Sequence, residues 1–166
     1  MLRYGYDTVF YDTMKYSFDD TQTKEYLALI KDSRELDEMA KKYNITMIYS
    51  LQLSLSCLGK LWLDASCLSM SKQIKEVLEN LFLMRNVYPE ELDPKSKYYC
   101  RPFRLEQENG KWIEKEFYAD PTATWKILFV DKTRDGETSN DNGKCYLLRF
   151  DGAHAMYIEK AQCRPC

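Results

Sequence analysis

The sequence predicts an α/β domain: a mainly parallel sheet flanked by helices, closed by an antiparallel C-terminal hairpin. Three observations predict it. Two short apolar runs each end on a polar residue, Val9-Phe10-Tyr11 on Asp12 and Ile45 to Leu51 on Gln52. Such runs suit buried strands and are too short for helices. A periodic helical segment separates them, and strand, helix, strand with short connections makes a βαβ unit with parallel strands. Two later runs, Leu81–Arg85 and Trp125–Val130, read as further buried strands of the same series.

Taken in order, the first run is followed by a polar connector, residues 15–23, in which Asp20, Thr21 and Thr23 can cap a helix. The helix extends to about Tyr43. Tyr26, Leu29, Leu36, Ala40 and Tyr43 recur at helical spacing to give one apolar face, and Lys41-Lys42 suits its C-terminal dipole. Asn44 fits the stop. The second strand covers Ile45–Gln52. Leu53–Leu68 reads as a loop and short turn, followed by a helix over Ser71–Asn80 with Ser71 as cap and Ile74, Val77 and Leu78 facing a core. Residues 86–120 change character, with Pro89, Pro94 and Pro102 and many aromatic and charged residues. A hairpin around Asn109-Gly110 is expected there, because Asn-Gly is a strong two-residue turn signal. This stretch reads as an insertion or long connector. Ser139–Gly143 reads as a polar, mobile loop. Lys144–Phe150 and Ala155–Ile158 form the closing hairpin across Asp151-Gly-Ala-His154. The whole is expected to be a single domain over residues 1–160 with a tail at 161–166.

Composition narrows the function classes. The hydrophobic fraction is 45%, enough for a core, and the net charge of −2 shows no global basic field for nucleic acid. A local basic patch is still compatible with it. No apolar stretch is long enough to span a membrane, and Met1–Asp7 has no signal-peptide core. Six cysteines, at 57, 67, 100, 145, 163 and 166, read as reduced thiols and a cytoplasmic setting. Cys163-Arg-Pro-Cys166 lacks a second ligand pair and a strand-to-helix context, so it is taken as part of a loose tail. His154 is the sole histidine, so a His-based metal site is disfavoured and a Ser-His-Asp triad has one route only.

The chemistry-bearing residues sit at strand ends. A carboxylate at the carboxyl end of a buried parallel strand lies where open α/β sheets bind ligands. In nucleotide-hydrolysing folds such an acid helps hold Mg²⁺, which makes Asp12 a metal candidate. Gln52, at the same edge, is a candidate sensor of a bound phosphate. Lys132 and Arg134 alternate along an extended stretch and so share a face. Lys72 and Lys75 are candidates for a nucleic-acid backbone, which needs charge and little sequence reading.

In this order the motifs resemble the carboxyl-terminal half of the RecA-like ATPase domain of bacterial and phage replicative helicases of the DnaB type. The resemblance runs from about Tyr4 to Ile158. Gly5-Tyr-Asp-Thr-Val-Phe-Tyr-Asp12 resembles the Walker B strand. Leu36 to Ser54 resembles the helix and strand that end in the family's phosphate-sensing glutamine, here Gln52. Leu68-Ser-Met-Ser-Lys-Gln-Ile-Lys-Glu76 falls where the family has a loop that touches single-stranded DNA, which marks Ser69, Lys72 and Lys75. Ile127 to Gly136 resembles the Lys-x-Arg-x-Gly motif, and Leu147–Gly152 with Met156-Tyr-Ile158 the final hairpin. The resemblance implies a partial RecA-like fold, Mg²⁺ and ATP as cofactors, and Lys132 with Arg134 as residues donated across a subunit interface, Arg134 being the arginine finger.

The departures are specific. No Gly-x-x-x-x-Gly-Lys-Ser/Thr occurs: the Gly-Lys pairs at 59, 110 and 143 are followed by Leu61, Trp112 and Cys145. The phosphate-binding loop is therefore absent. In the family it lies upstream of this stretch, as does the catalytic glutamate. Ser69, Met70 and Lys72 stand where many relatives have Arg, Glu and Gly. The expectation is a helicase half-domain that does not hydrolyse ATP alone and works by self-association or with a phosphate-loop-bearing subunit, on single-stranded DNA. The alternative is a non-enzymatic module that docks on a helicase ring.

Overall fold

The computed structural model of the chain describes residues 7–14, 25–68 and 71–166, and the side chains of residues 25–28 and 71–73 stand outside that description. Several expectations therefore lie outside the described residues: the caps at Asp20, Thr21 and Thr23, the loop residue Ser69, and the side chains of Tyr26, Ser71 and Lys72.

The expected βαβ unit is present. Strand β1 (Thr8–Tyr11) and strand β2 (Thr46–Tyr49) pair in parallel, with Val9 opposite Met47 and Phe10 opposite Ile48. Helix α1 (Glu25–Tyr43) joins them. It buries Leu29, Ile30 and Ser33 and half-buries Leu36, while Tyr43 is exposed, so the apolar face is turned slightly from the one the spacing suggested. Lys31–Glu35 and Lys41–Asp37 pair at i,i+4 on the outside. The helix stops as a side chain able to adopt left-handed backbone allows: Asn44 has φ +51°, and Ile45 N donates to Ala40 O at 3.0 Å. Leu29 and Ile30 join Met14 and Ile74 in a small core. Ile74 comes from helix α2 (Ser71–Val77).

The expectation of a mainly parallel sheet is overturned. The remaining strands form one antiparallel six-stranded sheet, and the parallel part is the two-stranded β1–β2 pair. The six are β3 (Leu81–Asn86), β4 (Phe103–Glu108), β5 (Lys111–Glu116), β6 (Trp125–Lys132), β7 (Cys145–Asp151) and β8 (Met156–Cys163), ordered β3-β6-β7-β8-β4-β5. The physical reason is connectivity. Parallel neighbours need a crossover, usually a helix of several turns. After β3 the only helices among the described residues are the four-residue α3 (Pro89–Leu92) and α4 (Ser139–Asn142). The burial pattern agrees. In β6, Trp125, Ile127, Phe129 and Asp131 are buried and the residues between them half-buried, the alternation of a sheet with one covered face.

Two smaller expectations are also corrected. Ser139–Gly143 is the ordered helix α4 and its cap, with Thr138 N bonded to Asp141 Oδ2 at 2.8 Å and Asp141 N to Thr138 Oγ1 at 3.3 Å. The C-terminal residues are not a loose tail: β8 continues to Cys163, which is fully buried, and Arg164 N bonds Cys100 O at 2.7 Å. The Asn109-Gly110 hairpin is present, with φ +52° and +78°, and it extends the sheet as β4–β5 beside β8.

The chain divides into two compact units: residues 1–58 with 65–79, and residues 59–64 with 80–166. The second holds a denser interior, in which Leu83, Ile127, Phe129, Leu147, Cys145 and Cys163 pack on one sheet face. Glu91, at 0% exposure, receives Arg85 on both carboxylate oxygens at 2.6 and 2.7 Å. Arg85 also donates to Leu61 O.

Candidate functional site

In the first unit the site is the carboxyl rim of the β1–β2 pair. Because the pairing is parallel and in register at Tyr11 opposite Tyr49, the next residue of each strand emerges at the same end. Asp12 and Ser50 therefore meet: Ser50 Oγ donates to Asp12 Oδ1 at 2.5 Å. Thr13 Oγ1 donates to the same oxygen at 2.8 Å. Asp12 is exposed, and the Asp12-Thr13 peptide is cis. Gln52 is exposed two residues beyond Ser50 on the same rim-proximal segment, outside the strand itself. Ser50 and Thr13 were not singled out in the sequence. The signal that finds them is register: parallel pairing places the residue after one strand opposite the residue after the other.

The chain beyond Gln52 makes an excursion that closes on itself. Leu53 and Leu68 form an isolated antiparallel bridge, and Ser54 N donates to Cys67 O at 2.8 Å. Leu53 and Leu68 thus stand at the base of one closed excursion of the chain. Of the candidate nucleic-acid residues, Lys75 is described: it is half-buried in the last turn of α2.

In the second unit the candidate cations lie at the end of β6. Lys132 is the last residue of the strand and half-buried; Arg134 is exposed and past the strand end. The two-residue alternation used to align them therefore stops between them. The strand end is held from one side by α4. Ser139 Oγ accepts from Val130 N at 3.0 Å, and Asn140 Nδ2 donates to Asp131 Oδ1 at 3.1 Å. Trp62 Nε1 donates to Asn140 Oδ1 at 2.9 Å, and the Trp62 ring sits edge-on to Phe129 at 5.4 Å. Trp62, Asn140 and Asp131 are the residues that sequence reading missed here. Their partners are far apart in the chain, so no local pattern marks them.

Other candidates are accounted for by local contacts. His154 Nδ1 bonds its turn neighbour Asp151 at 2.9 Å, and its side chain is 71% exposed. That bond holds the Asp151 carboxyl below its usual range. In the Cys163-x-x-Cys166 pair, a hydrogen bond with Cys100 and burial push the Cys163 thiol well up, which favours its neutral form. Burial likewise raises Cys145 to about 12. Among the described residues no group of three or more His, Cys, Asp or Glu side chains is placed to hold a metal ion. No described helix is long and apolar enough to cross a membrane.

A magnesium ion held with nucleotide makes a lighter demand than a protein cage. Mg²⁺ keeps several waters and takes one or two carboxylates plus substrate phosphates. One exposed carboxylate at the rim, Asp12, with hydroxyls steadying one of its oxygens, fits that demand. It does not provide a free-standing site.

No family model and no curated protein matches the sequence. Solved structures do match in fold. The chain is similar to a DnaB-like replicative helicase whose structure was determined for its interactions with primase, at 15% identity and a TM-score of 0.59, over 91% of this chain and 30% of that one. It is similar to a second solved structure, an ATPase domain, at 14% identity and a TM-score of 0.58, over 92% of this chain and 44% of that one. The chain thus shares its fold with part of each of these solved structures and spans less than half the length of either.

Proposed function

We propose that this chain is the carboxyl-terminal half of a helicase-type ATPase module and acts with a polypeptide that supplies the phosphate-binding loop. The observation that carries the reading is the parallel, in-register β1–β2 pair, which delivers Asp12 and Ser50 to one rim with Gln52 just beyond, in a chain whose fold is that of part of a DnaB-like helicase. Asp12 holds Mg²⁺ together with the bound nucleotide. The metal supplies neutralisation of phosphate charge. Ser50 and Thr13 fix the carboxylate's orientation. Gln52 senses the terminal phosphate, and the closed excursion from Leu53 to Leu68 carries its position to the segment holding Ser69, Lys72 and Lys75, which contact the backbone of single-stranded DNA. Lys132 and Arg134 act on the nucleotide of a neighbouring subunit. A guanidinium suits that role because its planar fork of donors matches phosphate oxygens.

The test is complementation. A DnaB-type ring whose own finger arginine is replaced by alanine is mixed with this chain, and ATP turnover is measured with and without single-stranded DNA. The chain alone turns over no ATP, and the mixture regains turnover. Arg134→Ala removes the gain by on the order of 10³-fold, the usual worth of an arginine finger. Turnover by the chain alone, or full rescue by Arg134→Ala, would overturn the reading.

A second reading is a non-enzymatic module that docks on a helicase ring. Its support is apolar exposure: Phe10 is 74% and Ile48 45% exposed, and they are direct partners in the β1–β2 register. Parallel sheets normally have both faces covered. Ring binding that survives Arg134→Ala and fails in Phe10→Ser, with no rescue of turnover by either, would favour this reading.

A further inference from the structure

The Gly59–Asp64 segment belongs to the second unit, although the chain on either side of it, to Leu58 and from Ala65, belongs to the first. It is the tip of the excursion that leaves at Leu53 and returns at Leu68. The tip is seated firmly. Leu63 is buried, and Leu61 O accepts from the Arg85 guanidinium, which is itself fixed by the buried Glu91. Between them Trp62 packs edge-on against Phe129 of β6 and points its indole N–H at Asn140 Oδ1. The Asn140 amide turns its other end to Asp131, the buried residue directly before Lys132. An amide is suited to this relay because it accepts at one atom and donates at the other. A carboxylate in its place would leave Asp131 facing a like charge.

We infer that Trp62 and Asn140 are positioning residues for the Lys132–Arg134 segment, acting through Asp131. Resting on the proposed function, the inference gives that segment a regulator: the excursion that begins at the phosphate sensor ends in the contact that fixes the cations. When the tip is seated, Asp131 is held and the last residue of β6 keeps its register. When the tip withdraws, Asn140 Oδ1 loses the indole donor, and the amide that holds Asp131 is less firmly oriented.

The test measures amide hydrogen exchange in the full chain, read in peptides covering residues 131–136 and 139–142, together with complementation turnover. Trp62→Phe keeps a ring against Phe129 and removes the donor. Asn140→Ala, at an exposed position, removes both bonds with little threat to folding. Exchange at 131–136 should rise about fivefold in Trp62→Phe, the equivalent of one ordinary hydrogen bond, and further in Asn140→Ala. Asn140→Asp, which keeps the acceptor for Trp62, should behave like Asn140→Ala. Exchange in 103–116 should not change. In complementation the variants should lower kcat and leave KM for ATP unchanged. Unchanged exchange at 131–136 in both Trp62→Phe and Asn140→Ala would overturn the inference, as would faster exchange with undiminished kcat. If the wild-type chain gives no rescue while the exchange responses appear as described, the proposed function fails and the positioning contact stands.

Discussion

The first unit and the second are built from opposite economies. The first carries a two-stranded parallel sheet, one long helix and a core of few residues, Met14, Leu29, Ile30 and Ile74, with Phe10 and Ile48 in the open. The second carries six antiparallel strands over an interior that includes a largely buried ion pair, Arg85 with Glu91. The acid and amide candidates lie on the thin unit, and the cation candidates end a strand of the thick one. The difference teaches where rigidity is built in: the strand that leads to the cations is set by long-range packing, while the acid is set by strand register and two hydroxyls.

All three tryptophans lie in the second unit and the 19-residue helix α1 in the first, so fluorescence and far-UV circular dichroism follow the two separately. The largest effect should come from Glu91→Ala. It strands the Arg85 guanidinium in the interior, and breaking a buried pair this way costs about 3–5 kcal/mol. The fluorescence midpoint in urea should fall accordingly; a loss under about 1 kcal/mol would show that Arg85 re-solvates and that the second unit does not depend on the pair. Ile74→Ala should come next. Ile74 is 2% exposed, and truncation of a buried isoleucine costs about 2–5 kcal/mol, here toward the lower end because so small a core can collapse. The loss should appear in the dichroism of α1 and not in the fluorescence transition. Equal shifts in both signals would break the comparison by showing one cooperative structure. The smallest effect concerns pH. Hydrogen bonding by Arg164 is the main cause that lowers the pKa of Glu114, with Lys144 adding to it. A depressed carboxyl contributes stability that is present above its unfolded value and lost as pH falls through its folded value. The Glu114 carboxyl resonance should therefore titrate below the ordinary glutamate range, and in Arg164→Gln it should move up toward that range.

Much of the first unit was legible from local pattern. Val9-Phe10-Tyr11 ending on Asp12, the apolar spacing of α1 and the left-handed stop at Asn44 are short-range signals, and the βαβ rule converts them into parallel pairing, although Phe10 and Tyr11 are exposed where a buried strand is expected. That pairing predicts a shared rim for Asp12 and the second strand's end, and the Asp12–Ser50 hydrogen bond is its detail. The second unit departs from what the same kind of local pattern predicts. Ile127-Leu-Phe-Val130 is a continuous apolar run, and such a run predicts burial on both faces. Flanking Lys126 and Lys132 were the clue to one open face, since they share the outward side with Leu128 and Val130. Cys163 looked like part of a tail because nothing near it in sequence shows that β8 runs on to meet Cys145.

By itself the sequence determined the type of the longer elements, the tight turn at Asn109-Gly110, the lack of a phosphate-binding loop within these residues, and the order of motifs that resembles a helicase half. These depend on interactions within a few residues, or on a motif's presence, and both can be read along one dimension. Tertiary structure alone decided strand direction after residue 80, the buried Arg85–Glu91 pair, the burial of Cys163 and the Trp62–Asn140–Asp131 contact. Each of these joins residues distant in the chain, and their energy comes from desolvation and directional hydrogen bonds that exist only once the segments have been brought together.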